Sequence, residues 1–351
     1  MKNIIDKLKN GIFPDKEEFV YFLSCEDEDT ISYLHDAARQ KSLEVFGSKV
    51  YIRGLIEFTN YCKNDCFYCG IRNSNKNVRR YRLTNDDILE CASSGYSLGF
   101  RTFVLQGGED TGFTDEELCK VIYKLKSVYP DCAVTLSVGE RTYNVYKSFF
   151  DSGCDRYLLR HETANCEHYK KLHPPALSSE NRKQCLYNLK SIGFQTGTGF
   201  MVGSPFQTNE NLYEDFKFIY ELRPHMVGIG PYIVHKDTPF KNMKSGSLTK
   251  TLICISLLRL ILPNLLIPST TALGTISPNG REDGILSGAN VVMPNLSPKK
   301  VRKDYQLYDN KICTGEEASE CIGCMKRRME KIGYQISVDR GDYPDFKRKN
   351  T

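Results

Sequence analysis

The sequence has no tryptophan, only six histidines, and no long uncharged apolar run of the kind that crosses a membrane. The absence of tryptophan excludes nothing. The longest apolar segment, 251–267, contains Arg259 and Pro263, so we expect a buried helix that leads into a buried strand. Charges interrupt the first twenty residues every few positions, and we therefore expect no export signal, no membrane partner and a cytoplasmic location.

The sequence also lacks a block of charges of one sign. Its 48 Lys and Arg residues are scattered among 43 Asp and Glu residues, with a net charge of +5, so we expect no nucleic-acid partner. Fourteen cysteines in a chain without an export signal favour metal sites and isolated buried thiols over a disulfide framework. The 40% hydrophobic content suffices for a large core, in one large α/β barrel or in two ordinary domains.

Short β-rich runs alternate with longer helical patterns from residue 50 onward, and several helical patterns begin at Ser or Thr and end at Gly. This alternation predicts an α/β fold, a parallel (β/α)8 TIM barrel over residues 46–300. Residues 1–45, with helix starts at Asp15 and Asp27, are predicted to form an N-terminal helical extension. Residues 301–351 are predicted to form a C-terminal extension that ends in a mobile tail. The eight β-rich runs are 50–58, 101–107, 132–138, 155–160, 194–202, 226–232, 265–271 and 290–295.

Three cysteines, Cys62, Cys66 and Cys69, follow the first run in the stretch 59-TNYCKNDCFYCGIR-72. They lie too close together in the chain to join distant elements, and structural zinc normally takes four ligands. Three thiolates without a nearby fourth donor fit a 4Fe-4S cluster whose fourth iron is open to another ligand. In a TIM barrel the position after a strand is the rim where chemistry takes place.

The C-x3-C-x2-C spacing, with Tyr68 before the last cysteine, resembles the radical S-adenosylmethionine (SAM) enzymes. In that family SAM chelates the open iron of the 4Fe-4S cluster, and one electron cleaves it to a 5′-deoxyadenosyl radical. The segment 106-QGGED-110 is similar to the family's Gly-Gly-Glu motif. The resemblance implies that the SAM-binding residues are Tyr68, Gly107, Gly108, Glu109, Thr135, Ser137, Glu162, Arg182 and Met226.

Longer strings resemble one family within this superfamily, the HydE maturases of FeFe-hydrogenase, which are relatives of biotin synthase. The strings include 51-YIRGLIEFTNYCKNDCFYCGIR-72, 156-RYLLRHETAN-165 and 227-VGIGPYIVHKDTP-239. One departure is Gly107, where relatives often carry Ser, and it puts a substrate contact in doubt. The resemblance implies a cavity-lining set that comprises Gln106, Arg160, Thr270, Thr271, Met293, Tyr305 and Tyr308, whose alternative role is ordinary filling of the barrel.

A second group of three cysteines, Cys313, Cys321 and Cys324, lies in 313-CTGEEASECIGC-324. The resemblance implies an auxiliary 2Fe-2S or 4Fe-4S cluster there, a site that varies within the family. A zinc site and three reduced surface cysteines are the alternatives.

The resemblance implies a monomeric enzyme whose radical acts on a small organometallic substrate, a cysteine-bound Fe(CO)2(CN) complex, during assembly of the hydrogenase centre. It also implies the companion maturases HydG and HydF as partners, and a ferredoxin or flavodoxin type electron donor. One alternative is a biotin synthase-like or methylornithine synthase-like enzyme that acts on an organic substrate. Another is a metal-binding or electron-transfer protein without catalysis.

Overall fold

The structure is a computed structural model that describes residues 2–315 and 318–348, without the side chains of residues 2, 318, 319 and 321. The first predicted run divides at Arg53 into two strands. The strands are β1 (Lys49–Ile52), β2 (Gly54–Thr59), β3 (Thr102–Gly107), β4 (Ala133–Ser137), β5 (Arg156–Leu158), β6 (Gln195–Thr198), β7 (Met201–Val202), β8 (Met226–Val227), β9 (Gly230–Pro231), β10 (Val291–Val292) and β11 (Gln335–Ser337).

The strands form a closed parallel barrel, as the sequence predicts. Six of them make a continuous sheet in the order β2-β3-β4-β5-β6-β8. The run at 265–271 forms no regular strand, but Leu266 bridges to Met226 and Pro268 bridges to Val291 in β10. A parallel bridge between Leu55 and Asn295 returns the ring to β2. Proline lacks the amide hydrogen that a strand ladder needs, which accounts for the bridges in place of a strand.

Helices follow the strands and cover the outside of the barrel. Thr84 and Thr114 begin their helices with reciprocal capping boxes, and Gly193 ends another in the left-handed conformation, at φ 111°. The helices are α1 (Lys2–Lys9), α2 (Lys16–Leu23), α3 (Glu28–Phe46), α4 (Asn85–Ser97), α5 (Asp115–Val128), α6 (Tyr143–Asp151), α7 (Cys166–Leu172), α8 (Ser179–Ile192), α9 (Asn209–Leu222), α10 (Leu248–Ile261), α11 (Thr271–Ile276), α12 (Gly280–Leu286), α13 (Lys299–Arg302) and α14 (Ala318–Lys331).

The apolar segment 251–267 lies largely in α10, whose surroundings are protein on every side. Residues 253–261 of this helix are all buried, including Arg259. The Arg259 guanidinium donates to the carbonyl oxygens of Gly288 and Pro263 and to the side-chain oxygen of Asn290. Across residues 2–315 and 318–348, no helix has both the length and the apolar character needed to cross a bilayer.

The N-terminal helices pack against the barrel helices, with α3 along α10 and α2 against α9. Asp15 and Asp27 cap α2 and α3, and each accepts a hydrogen bond from the backbone amide three residues later. These two caps confirm the predicted helix starts.

The described part of the C-terminal tail packs under the barrel, so the expectation of a mobile tail is wrong for residues 340–343. Thr102 donates to the Arg340 carbonyl oxygen at 2.7 Å. The fully buried Arg156 pairs with Asp342 at 2.7 Å, and Gln195 donates to the same carboxylate at 2.6 Å. The tail therefore supplies the carboxylate that pairs with Arg156 and accepts from Gln195.

Candidate active site

The cysteine loop, residues 59–72, leaves β2 at the carboxyl end of the barrel and is tied to several neighbouring segments. Its amides donate to carbonyl oxygens outside the loop, from Lys63 to Glu109 at 2.9 Å and from Gly70 to Leu307 at 2.9 Å. Arg80 fixes the loop from below, because its guanidinium donates to the carbonyl oxygens of Asn60, Ile71, Arg72 and Asn75. The loop is therefore held in shape without the help of its thiols.

The three thiols of the loop are partly exposed, and none is in a disulfide. Burial raises the pKa of all three, that of Cys69 to about 12, and neighbouring thiols add to the increase at Cys66 and Cys69. Within the described residues, no three His, Cys, Asp or Glu side chains converge closely enough for one metal ion. Separated thiols that need a positive partner suit a multi-iron cluster, in which each cysteine binds a different iron.

A buried carboxylate, Glu162, and a buried guanidinium, Arg182, face the loop. The charges of Glu162 and Arg182 both act on Cys66 and on Tyr68, so the four side chains lie close together. Arg182 pairs with Glu140 at 2.7 Å through its Nε atom, which leaves its terminal N–H groups for other acceptors. Glu162 has a φ of 65°, a conformation that non-glycine residues adopt with strain and that concentrates at functional sites.

Gly107 and Gly108, at the end of β3, allow this end of the strand to pack directly against the cysteine loop. A Cβ atom on Gly108 would lie 2.2 Å from the Tyr61 carbonyl oxygen and 2.7 Å from the Cys62 Cβ. A Cβ on Gly107 would lie 2.6 Å from a methyl carbon of Thr59. Glu109 is buried and pairs with Lys63 at 3.3 Å, so it faces the same loop.

Ser137 ends β4, the neighbour of β3 in the sheet, and Thr135 lies two residues before it. The Thr135 hydroxyl is buried and has no hydrogen-bond partner among the described residues. Met226 is not brought to the loop. It packs in a separate apolar cluster with Phe46 and Leu266, and its sulfur accepts from Arg53 at 3.1 Å. Contact between Met226 and SAM stays a prediction, and the packing of this side chain does not support it.

Several of the predicted cavity residues lie deeper in the barrel. Gln106 donates to the hydroxyl of the buried Tyr305 at 3.2 Å, and Arg160 pairs with Glu162 at 3.1 Å. The thiols Cys62 and Cys69 contribute to the increase in the pKa of Tyr305, behind burial and Glu57, so Tyr305 lies near the loop. Burial raises the pKa of Tyr308 to about 12. The buried Thr270 hydroxyl has no hydrogen-bond partner among the described residues.

A cavity of about 410 Å³ joins the predicted substrate residues to the second cysteine group. Thr271 and Met293 line it together with Cys313 and Cys324. Arg281 links the two sets, because one of its nitrogens lies 3.3 Å from the Thr271 hydroxyl and 3.5 Å from the Cys313 sulfur. The backbone of Cys321 lies in α14, but its side chain is outside the described residues.

Sequence reasoning missed a buried ion pair in the barrel. Lys311, which lines the cavity, contacts Glu57 at 2.5 Å and the Tyr305 carbonyl oxygen at 3.0 Å. Asn295 donates to the other Glu57 oxygen at 2.8 Å. The signal was Glu57 itself, a charge in the apolar run 50–58 at the alternate position that faces the barrel interior. Arg80, which clamps the loop, left no such signal.

A parallel (β/α)8 barrel with a three-thiol loop beside a buried carboxylate and a buried guanidinium is the arrangement of a radical SAM enzyme. Residues 56–219 match the Radical SAM superfamily. The chain is 43% identical to the FeFe-hydrogenase maturase subunit HydE of Thermotoga maritima over 340 residues, which is 97% of each chain. It is 26% identical to 3-methylornithine synthase of Methanosarcina acetivorans over 94% of this chain and 92% of that one.

The chain belongs to the HydE family of FeFe-hydrogenase maturases. Its fold is also that of a solved structure, methylornithine synthase (PylB), with a TM-score of 0.83, 26% identity and coverage of 95% of this chain and 97% of that one. Family membership makes it an enzyme with a role in hydrogenase maturation, and the family's resident cofactors are a 4Fe-4S cluster and SAM. The three-thiol loop and the glycine rim behind it fit that pair of cofactors.

Proposed function

We propose that this chain cleaves SAM reductively at the cysteine loop and applies the radical to a cysteine-bound Fe(CO)2(CN) complex in the barrel. The observation that carries the proposal is the meeting of three groups at one rim. These are the three thiols of the loop, the pair Glu162 and Arg182, and the interior polar residues reached through Tyr305.

Cys62, Cys66 and Cys69 would hold the cluster, with Arg80 keeping the loop in position. When bound and reduced, the cluster supplies the electron that converts SAM to methionine and a 5′-deoxyadenosyl radical. Arg182 suits the SAM carboxylate, because a guanidinium can donate to two carboxylate oxygens at once. Gly107 and Gly108 would let SAM lie against backbone, while Thr135, Ser137 and Glu162 would orient its polar groups.

The interior residues would bind the substrate and keep water away from it. The Thr271 hydroxyl and the Arg281 guanidinium offer donors to cyanide and carboxylate groups, and Met293 offers an apolar wall. Residues 304–311 cross above this interior and hold Tyr305 inward through the Gln106 hydrogen bond. Exclusion of water protects a reactive intermediate from side reactions.

The second cysteine group supports a further part of the proposal, an auxiliary iron-sulfur cluster at Cys313, Cys321 and Cys324. We also propose HydG as the supplier of the substrate, HydF as the recipient of the product, and a ferredoxin or flavodoxin type protein as the electron donor. Anaerobic reconstitution with iron and sulfide tests the auxiliary site. Wild-type protein should bind more iron than a Cys313→Ser, Cys324→Ser double variant. Equal iron contents would contradict the proposal of an auxiliary cluster.

The central experiment measures 5′-deoxyadenosine after anaerobic reconstitution and reduction with dithionite. Cys66→Ser should reduce SAM cleavage to background, because the loop then offers two thiols in place of three. Cys119→Ser in α5 is the matched control, since Cys119 is also partly exposed but lies on an outer helix. Unchanged cleavage in Cys66→Ser would contradict the proposal.

The substrate is tested separately. The wild-type enzyme is incubated with SAM, reductant and either the iron complex, lysine or dethiobiotin. Turnover of the iron complex supports the maturase reaction. Turnover of only lysine or dethiobiotin would support the alternative of an organic substrate. The observation that favours this alternative is the 26% identity to 3-methylornithine synthase.

A further inference from the structure

Phe206, in the loop after β7, is a bulky aromatic residue held out into solvent. Its side chain is 52% exposed, and its φ of 66° lies in the left-handed region that strains a residue of this size. The loop is fixed around it. Gln207 accepts from the Gly203 amide at 2.6 Å, and a His168 ring nitrogen lies 2.9 Å from the Pro205 carbonyl oxygen. Strain that surrounding contacts maintain is typical of a functional position.

A series of aromatic rings connects Phe206 to the cysteine loop. The centroids of Phe206 and Phe240 are 6.0 Å apart, and those of Phe240 and Phe67 are 6.2 Å apart. Phe67 follows Cys66 directly and is two residues before Cys69. Both contacts are edge-on, which is a favourable aromatic geometry. The exposed ring is therefore the outer end of a packed path from the surface to the thiols.

Three lysines lie on the segments around Phe206. The Lys171 ammonium lies 5.5 Å from the Phe206 ring centroid. Lys241 and Lys244 are exposed on the loop 236–246, which packs so closely on the Phe206 loop that a Cβ on Gly203 would lie 2.5 Å from Gly246. None of these three lysines forms an ion pair with a residue that the structure describes. Unpaired positive charge around an apolar ring suits an acidic protein partner.

We propose that Phe206, Lys171, Lys241 and Lys244 form the docking surface for a small acidic electron-carrier protein. This rests on the proposed function, which requires one electron for each SAM cleaved. The reduced carrier docks over Phe206, loses one electron to the cluster at Cys62, Cys66 and Cys69, and leaves oxidised by one electron. No bond forms or breaks in this step. Electron-carrier complexes of this kind use small, salt-sensitive interfaces, which matches a surface of one ring and three lysines.

Binding is measured first, by calorimetry with an oxidised ferredoxin and, separately, an oxidised flavodoxin as probes. Phe206→Ala should weaken the Kd of the probe that binds by about tenfold, as expected for a central aromatic anchor. Lys171→Glu should weaken it by about threefold to tenfold at low salt, and the difference should shrink in about 0.5 M NaCl. Tyr123→Ala is the matched control, because Tyr123 is 69% exposed on α5 between Lys120 and Lys124.

Reduction of the cluster is measured second, by the absorbance change on mixing reconstituted enzyme with the reduced carrier. Phe206→Ala and Lys171→Glu should slow this reduction, while SAM cleavage driven by dithionite stays at the wild-type rate. If wild-type enzyme fails to cleave SAM with dithionite, the proposed function fails and the docking surface is not at fault. If dithionite-driven cleavage is normal, the binding and electron-transfer measurements with the two carriers test the docking surface alone.

Three results would overturn the docking surface. The first is that neither carrier binds wild-type protein. The second is that Phe206→Ala and Lys171→Glu bind and accept electrons as wild type does, or that Tyr123→Ala weakens binding equally. The third is that the variants lose affinity for HydG or HydF but not for either carrier, which would assign the surface to another maturation protein.

Discussion

Replacing Lys311 by methionine will destabilise the barrel, because it leaves the Glu57 carboxylate buried with one polar partner. The pair is deeply enclosed, with side-chain exposures of 9% for Lys311 and 2% for Glu57. Removal of one member of a buried ion pair costs about 3–5 kcal/mol. Methionine keeps the length of the lysine stem, so the loss of charge, and not a cavity, is what the substitution tests.

The size of the effect on thermal unfolding follows from the length of the chain. At about 2.1 cal/mol/K per residue, 351 residues have an unfolding entropy of about 0.7 kcal/mol/K. Each kcal/mol therefore changes the Tm by about 1.4 °C, and Lys311→Met should lower it by about 4–7 °C. Differential scanning calorimetry on protein without cofactors measures this shift at a fixed scan rate, since unfolding of a chain of this size is often irreversible.

A double-mutant cycle supplies the control. Glu57→Gln keeps the shape of the side chain and removes its charge, so the Lys311→Met, Glu57→Gln double variant buries no unpaired ion. It should regain most of the lost Tm and give a coupling energy of at least about 2 kcal/mol between the two positions. Additive losses, or a Lys311→Met shift below about 1 °C, would refute the assignment of a tight buried pair.

Three shorter predictions follow from other parts of the molecule. Gly108→Ala forces a methyl group against the cysteine loop and should lower the iron bound after reconstitution, whereas Gly228→Ala, whose methyl group would come no closer than 3.9 Å to its neighbours, should not. Although burial alone raises the pKa of Asp342, Arg156 and then Arg340 hold it well below its usual range. That stabilisation is complete above the unfolded pKa of about 3.9 and is lost as the pH falls. Asp342→Asn should therefore cost about 2 kcal/mol near neutral pH and flatten the acid side of the stability curve, measured by urea unfolding. Burial and then Arg182 lower the pKa of His173 to about 3, so an NMR titration should find its ring neutral from pH 5 to 8, and a midpoint near 6.5 would contradict the enclosed site.

The fold was predictable because its signals are local. Alternating β-rich runs and capped helices, such as those that begin after Thr84 and Thr114, repeat often enough to specify a closed barrel. The division of the first run at Arg53 was not predictable, since it depends on β1 leaving the main sheet to pair with β10 and β11. The packed tail was missed for a similar reason, because the partners of Arg340 and Asp342 are buried groups far away in sequence.

The cysteine loop was predictable from its spacing. The resemblance to a Gly-Gly-Glu motif pointed to Gly107 and Gly108, but their close packing against the loop is visible only in the structure. The residues that support the loop were not predictable. Arg80 acts through backbone carbonyls, and Lys311 acts through Glu57, which is 254 residues away in sequence, so neither contact leaves a pattern in the residues around Arg80 or Lys311. The predicted contact of Met226 with SAM rests on a matching position in the sequence alone, and its side chain packs away from the loop, in the cluster with Phe46 and Leu266.

The small sheet β10-β1-β11 has a consequence for how the protein is made. Strand β1 lies between a strand from the last quarter of the barrel and one from the C-terminal extension, so Lys49 pairs with Gln335. During synthesis the edge of β1 that pairs with β11 stays bare until almost all of the chain has been made, and exposed strand edges favour association between chains. A chain truncated before Gln335 would keep that edge and leave Arg156 without its carboxylate. Expression of full-length protein should therefore give soluble enzyme where C-terminal truncation gives aggregates, even though the truncated segment lies on the opposite side of the barrel from the cysteine loop.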